Sequence, residues 1–198
     1  MENELKFETI INGISDKGYG IVDDFIDPEM CSELRKRLLA NLNNGSLNKA
    51  GIGNGVKLQK NVEIRGDSIL WIDTDTSDVF EKKYLDLVAD FIQYMNRTCF
   101  TGLRSSEIHY AVFPQNAFYK KHVDSFANDK SRQYSLIVYL NENWTDADGG
   151  QLKIYQDSGD IEITPIGGRA ICFSSHLIPH EVLPAVRLRQ SLTGWLKK

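Results

Sequence analysis

Ser105-Ser106-Glu107-Ile108-His109-Tyr110-Ala111-Val112-Phe113-Pro114 opens the part of the chain that decides the fold. Glu107 to Phe113 is short, apolar and rich in aromatic and branched residues, which reads as a strand, and seven more candidates follow it. They are Phe118 to Lys121, Tyr134 to Leu140, Gln151 to Tyr155, Asp160 to Ile163, Arg169 to Phe173, His180 to Val182 and Gln190 to Leu196. Turn signals separate them: Pro114-Gln115-Asn116, Asp148-Gly149-Gly150, Asp157-Ser158-Gly159 and Pro165-Ile166-Gly167-Gly168. Short strands at this density, with no helical spacing among them, predict a sandwich or jelly roll.

The first hundred residues have a different period. Leu5, Phe7, Ile10, Ile11 and Ile14 stand at roughly helical spacing and end at Asp16-Lys17-Gly18, where glycine can adopt the left-handed C-cap conformation. Tyr19 to Phe25 then reads as a strand. Asp27-Pro28-Glu29 supplies an N-cap, a first-turn proline and a first-turn acid, and Met30, Leu34, Leu38 and Leu42 recur every four residues, so a helix is expected from Pro28 to about Asn43. Phe80, Tyr84, Leu87, Val88, Phe91, Ile92 and Met95 give a third helix over 77–97. These helices should brace one outer face of the strands. Between the second and third, residues 43–55 carry Gly45, Gly51, Gly53 and Gly55 and read as a loop. Ile64 to Ile72 is strand-like but begins with Arg65 and Asp67, too polar for a strand interior unless paired.

Composition excludes several classes. At 198 residues and 41% hydrophobic, the chain fits one domain spanning 1–198, with 1–104 as helical support and 105–198 as the core. Acidic residues number 27 against 23 basic, for a formal charge of -4, and no basic run appears, so nucleic acid is not an expected partner. Cys31, Cys99 and Cys172 form an odd set without C-x-x-C spacing, and Cys99 and Cys172 read as small core residues in a reducing compartment. A charged start, Met1-Glu2-Asn3-Glu4, and the lack of about eighteen successive apolar residues point to no membrane and a cytoplasmic location. Oligomeric state has no signature here.

His122-Val123-Asp124 sits where a strand ends and a polar loop begins, so His122 and Asp124 can point the same way towards one ion. His180, in Pro179-His180-Glu181-Val182, is the third candidate ligand; alone, it reads equally as a surface or hydrogen-bonded histidine. Two imidazoles and one carboxylate are what a mononuclear Fe(II) site uses to leave coordination positions open. Alternation places Arg187, Arg189 and Ser191 on one strand face, so a guanidinium and a hydroxyl can project together into the interior. A buried arginine requires an anion, and a bidentate fork away from the metal suits a dicarboxylate.

His122-Val123-Asp124, Ile137-Val138-Tyr139-Leu140-Asn141, Gly149-Gly150-Gln151-Leu152, Pro179-His180-Glu181-Val182-Leu183-Pro184 and Arg189-Gln190-Ser191-Leu192-Thr193-Gly194-Trp195 together resemble the Fe(II)- and 2-oxoglutarate-dependent oxygenases of the prolyl 4-hydroxylase superfamily. Ile64-Arg65-Gly66-Asp67-Ser68-Ile69-Leu70-Trp71 resembles the branch of hypoxia-sensing prolyl hydroxylases and their bacterial relatives. The resemblance implies a mostly β fold with flanking helices: a double-stranded β-helix (jelly roll) core. It makes His122, Asp124 and His180 the iron ligands and Arg189 the partner of the C5 carboxylate of 2-oxoglutarate, with Tyr139, Thr193, Ser191 and Trp195 around that cosubstrate. On the substrate side it implies Arg65, Asp67 and Arg132, the last two as an ion pair. The implied cosubstrates are 2-oxoglutarate and O2, with ascorbate in support, and the products succinate, CO2 and a hydroxylated C–H carbon. A prolyl residue of a protein, among bacterial relatives a translation elongation factor, is the implied substrate. A small-molecule hydroxylase and a non-catalytic jelly-roll sensor are the alternatives. Phe113 departs from the pattern, standing where relatives have a tyrosine that contacts the cosubstrate.

Overall fold

Alternation along the strands produces two antiparallel sheets packed face to face, in a computed structural model that describes residues 2–51, 63–124 and 131–198. The larger sheet orders its strands β1 (Tyr19–Val22), β9 (Ala170–Ser174), β6 (Arg132–Tyr139), β11 (Arg189–Lys197), β4 (Ser105–Phe113), β3 (Ser68–Trp71) and β2 (Asn48–Lys49). The smaller sheet is β5 (Tyr119–His122), β10 (His180–Val182), β7 (Leu152–Ile154) and β8 (Ile161–Ile163). The eight expected strands are β4 to β11, and the architecture is the expected jelly roll.

Both faces of the larger sheet are covered, by different partners. Ile108, Tyr110 and Val112 of β4, Leu136 and Val138 of β6, Cys172 of β9 and Leu192 and Leu196 of β11 face a layer of helices. That layer is α1 (Glu2–Lys17), α2 (Pro28–Asn43) and α3 (Val79–Cys99). Ala111, Phe113, Ile137, Tyr139, Ile171 and Phe173 face inwards against Leu152, Ile154 and Val182 of the smaller sheet. A side-chain period of two thus sends one set of residues to a helix-backed core and the other to the interior of the roll.

The helices start where the sequence says they should. Asp27 caps α2 by accepting the Met30 amide at 2.7 Å, with Pro28 in the first turn, and Asp78 caps α3 by accepting the Phe80 and Glu81 amides at 2.9 and 3.1 Å. Gly20 lets α1 lie directly on β1, since a Cβ there would fall 2.0 Å from the Ile10 carbonyl oxygen. Cys99 departs from expectation. It is exposed, because the core-facing stripe of α3 ends at Met95 and the last turn runs past the packed layer; Cys31 and Cys172 are buried, and all three are free thiols. The glycine-rich segment also differs in part, as Asn48–Lys49 pairs with β3 and extends the sheet, while its residues from 52 lie outside the described residues. Among the described residues no helix is long and apolar enough to cross a membrane.

Candidate active site

β5 and β10 are antiparallel neighbours in the smaller sheet, with His122 and His180 directly opposite each other. That register brings two histidines 58 positions apart to a ring separation of 4.3 Å. Asp124, two residues beyond His122, turns a carboxylate oxygen to 3.4 Å from His122 Nε2 and 3.7 Å from His180 Nε2. One donor atom from each residue lies within 4.8 Å of the others, so the three could hold a metal ion.

Each donor is fixed by a second contact. His122 Nδ1 donates to the Lys120 carbonyl at 2.7 Å and His180 Nδ1 to the Ile178 carbonyl at 3.0 Å, which leaves both Nε2 lone pairs free for a cation. Ser135 donates to the second oxygen of Asp124 at 2.6 Å and contacts the Ser175 hydroxyl at 2.8 Å. Burial raises the Asp124 carboxyl, but the facing His180 and His122 and the Ser135 hydroxyl outweigh it and hold the group well below the usual carboxylate range. Burial also lowers the His180 imidazole, against the raising effect of Asp124. Sequence reasoning missed Ser135 and Ser175, which carry no motif and meet Asp124 only through folding.

A cavity of about 640 Å³ runs from this triad between the sheets. Arg189 lies at its inner end, 1% exposed, with Nε donating to the Gly150 carbonyl at 2.8 Å. Its Nη2 has no partner, and neither has the buried hydroxyl of Tyr139, whose ring centroid is 5.1 Å from the guanidinium carbon. Burial lowers the guanidinium pKa against the raising effect of Tyr139, and raises that of the phenol against the lowering effect of Arg189. Two adjacent unpartnered donors in a buried pocket form a receptor for an anion such as a carboxylate. Gly150, at φ +69, makes the approach possible: a Cβ there would lie 3.2 Å from Arg189 Cδ and 3.3 Å from Trp144.

Thr193 and Trp195 line the cavity beside Arg189, with Trp195 Nε1 buried and unpartnered. Ser191 points to the same interior face but contacts Thr193 at 3.5 Å and does not line the cavity. Arg187 does not turn inwards. It precedes β11 and is held outside by Asp148 at 2.8 Å. Phe113 lies opposite Arg189 with its ring centroid 5.2 Å from the guanidinium carbon and offers it no hydroxyl.

On the substrate side one expectation is overturned. Asp67 pairs with Arg65, not Arg132: Arg65 Nε and Nη2 donate to the two Asp67 oxygens at 2.7 and 2.6 Å. Arg132 is taken by Glu107, an acid on β4 on the far side of β11, at 2.7 Å, and its guanidinium carbon lies 3.5 Å from the Trp195 ring centroid. Both arginines still line the cavity, as does Asp67. His109 is the residue the sequence did not flag. It is 2% exposed between Trp71 and Trp195, with Nδ1 unpartnered, and burial pushes it down to about 4, so the imidazole is neutral. The loop expected over residues 125–131 lies almost wholly outside the described residues.

The sequence profile of the 2OG-Fe(II) oxygenase superfamily matches residues 108–197. A prolyl-4-hydroxylase from Pseudomonas putida is 33% identical, superposes with a TM-score of 0.87, and is covered over 98% of its chain by 97% of this one. A Trichoplax adhaerens prolyl hydroxylase, solved in complex with a hypoxia inducible factor oxygen degradation domain peptide fragment, is 28% identical with a TM-score of 0.88, over 99% of this chain and 90% of that one. Among curated proteins, the Caenorhabditis elegans hypoxia-inducible factor prolyl hydroxylase is 28% identical over 95% of this chain and 28% of its own length, and human Egl nine homolog 1 is 29% identical over 97% and 46%. The chain spans less than two thirds of the curated relatives it matches. The family's Fe(II), 2-oxoglutarate and O2 fit the donor set of the triad and the unfilled fork of Arg189. The chain therefore belongs to the 2OG-Fe(II) oxygenase superfamily, among its prolyl 4-hydroxylase-like members.

Proposed function

We propose that the chain is a dioxygenase that hydroxylates a prolyl residue of a protein, using Fe(II), 2-oxoglutarate and O2, and that residues 105–198 form its catalytic core on a support made by 1–104. His122, Asp124 and His180 ligate the iron, and Arg189 with Tyr139 takes the distal carboxylate of 2-oxoglutarate. The bound metal and cosubstrate supply the oxidising power, with 2-oxoglutarate and O2 converted to succinate and CO2 as one oxygen atom enters a C–H bond. The observation that carries this reading is the unpartnered Nη2 of buried Arg189, beside the Tyr139 hydroxyl and in the same cavity as the triad, because a buried guanidinium without a countercharge is costly unless a ligand brings one.

The protein's part is positioning. Arg189 and Tyr139 fix one end of the cosubstrate and the triad the other. Thr193 and Trp195 wall the space between. Trp71, His109 and Trp195 form an aromatic cluster lining the cavity, a surface suited to a saturated ring, and Trp71 is half exposed. A peptide rather than a free metabolite is favoured by the named activity of the Pseudomonas putida and Trichoplax adhaerens relatives. A translation elongation factor is the first candidate to examine.

The test is incubation with Fe(II), 2-oxoglutarate and a cell lysate, followed by peptide mass spectrometry. A gain of one oxygen on a proline, lost with Asp124→Ala, is the expected result. Succinate release without any protein oxidation would overturn the protein substrate and favour a small molecule. Absence of iron-dependent succinate release would overturn the enzymatic reading in favour of a sensor.

A further inference from the structure

The two histidines of the triad are held by different means. His180 is 3% exposed and wedged against Phe173, with ring centroids 4.7 Å apart. His122 ends a strand and is less enclosed, with a side chain 16% exposed. Its Nδ1 bond to Lys120 sets the tautomer but leaves the ring free to pivot about that bond. Tyr119 is stacked on the flat of the ring at 3.6 Å and 16°, whereas the His180 ring, 4.3 Å away, meets it tilted at 57°. On Tyr119 lies the Arg65 guanidinium, its central carbon 4.3 Å from the ring centroid. Behind that stands Asp67, 1% exposed, filling the fork of Arg65.

We infer that Asp67, Arg65 and Tyr119 are positioning residues for the metal ligand His122, forming a stacked column that sets its ring plane. The column crosses from one sheet to the other. Arg65 pairs across to Tyr119 as an isolated bridge, the Gly66 amide donates to the Phe118 carbonyl at 2.9 Å and the Lys120 amide to the Ile64 carbonyl at 2.9 Å. Gly66 permits this approach, since a Cβ there would fall 2.9 Å from that of Ala117. At its far end the column reaches the cavity rim, where Arg65 Nη1 donates to the Gly51 carbonyl at 3.3 Å and the Ala50 amide to the Asp67 carbonyl at 3.1 Å. A fixed Asp67 carboxylate locks the plane of Arg65, a locked guanidinium covers one face of Tyr119, and the other face of Tyr119 covers His122. The arginine is therefore spent on orientation and is not free to bind a substrate anion.

This inference rests on the proposed iron site, and the test separates the two. Metal-free protein is titrated with Co(II), reading affinity and the d–d absorption of the bound ion. Tyr119→Leu should weaken Co(II) binding by about tenfold or more and shift the d–d bands, the scale expected when a contact orienting a ligand is lost. Tyr119→Phe, which keeps the stack, should restore both to near wild type. The double variant Arg65→Met/Asp67→Leu replaces the ion pair by apolar groups and so leaves no stranded charge; it should weaken Co(II) severalfold while its thermal midpoint stays close to wild type. Wild-type affinity and spectrum in both Tyr119→Leu and the double variant would overturn the inference. Failure of the wild-type protein to bind Co(II) would overturn the iron-site reading and the inference with it.

Discussion

Arg189 and Arg65 both line the same cavity, and they differ in what fills the fork. Arg65 has its own acid two residues away and is closed to ligands. Arg189 has one backbone carbonyl, one free Nη2 and the unpartnered Tyr139 hydroxyl beside it. Identical side chains at the inner end and near the rim of one cavity thus do opposite work: the satisfied one builds the wall and the unsatisfied one waits for a charge. In a buried site the absence of a partner is more informative about ligand binding than the presence of a cation.

That contrast can be broken from either side. Asp67→Ala should strand Arg65 and lower folding stability by about 3–5 kcal/mol, read as a denaturation midpoint, because an unpaired buried charge remains. Arg189→Met, by contrast, should leave stability unchanged or raised while 2-oxoglutarate binding weakens by about 2–5 kcal/mol, measured by calorimetry with Mn(II) in place of iron. If Arg189→Met destabilised the fold as Asp67→Ala does, the two arginines would be equivalent.

His109 sharpens the comparison through pH. Its folded pKa of about 4 lies below the ordinary value of 6.5, so between those limits the unfolded chain binds the proton that the folded chain refuses. Stability contributed by this group is full above pH 6.5 and falls as pH drops towards 4, by about 3 kcal/mol at most. His109→Phe should flatten that part of the stability curve in metal-free protein. Smallest of all, Phe113→Tyr should add one hydrogen bond near the open fork and tighten 2-oxoglutarate by about 0.5–1.5 kcal/mol.

The elements that rest on local chemistry were legible in the sequence. Asp27-Pro28 announces α2 and the four-residue leucine spacing gives its buried face; the eight strand candidates all form. That His122, Asp124 and His180 meet and that Arg189 turns inwards were legible through pattern and resemblance, and the register of His122 with His180 explains why such distant residues can meet. Pairings between distant side chains were not legible. The polarity of Arg65 and Asp67 did signal a partner, but nothing local could say that they satisfy each other and leave Arg132 to Glu107. Ser135 and His109 were invisible for the same reason, since their roles arise from contacts across strands. Cys99 failed because apolar neighbours in sequence do not establish that a helix's last turn still lies over the core.

β11 carries Arg189, Thr193 and Trp195 on one side and Leu192 and Leu196 on the other, with both sides buried by separate layers. Its two faces can therefore diverge at different rates and under different pressures. Substituting the leucines changes how firmly the helices clasp the sheet, at about 2–5 kcal/mol for a truncation to Ala, without touching a cavity-lining atom. Redesigning the opposite side reshapes the pocket while the helical clasp stays intact. One strand is thus a natural partition between evolving robustness and evolving chemistry, and an engineer seeking a hardier or a differently selective variant would edit alternate letters of the same nine residues.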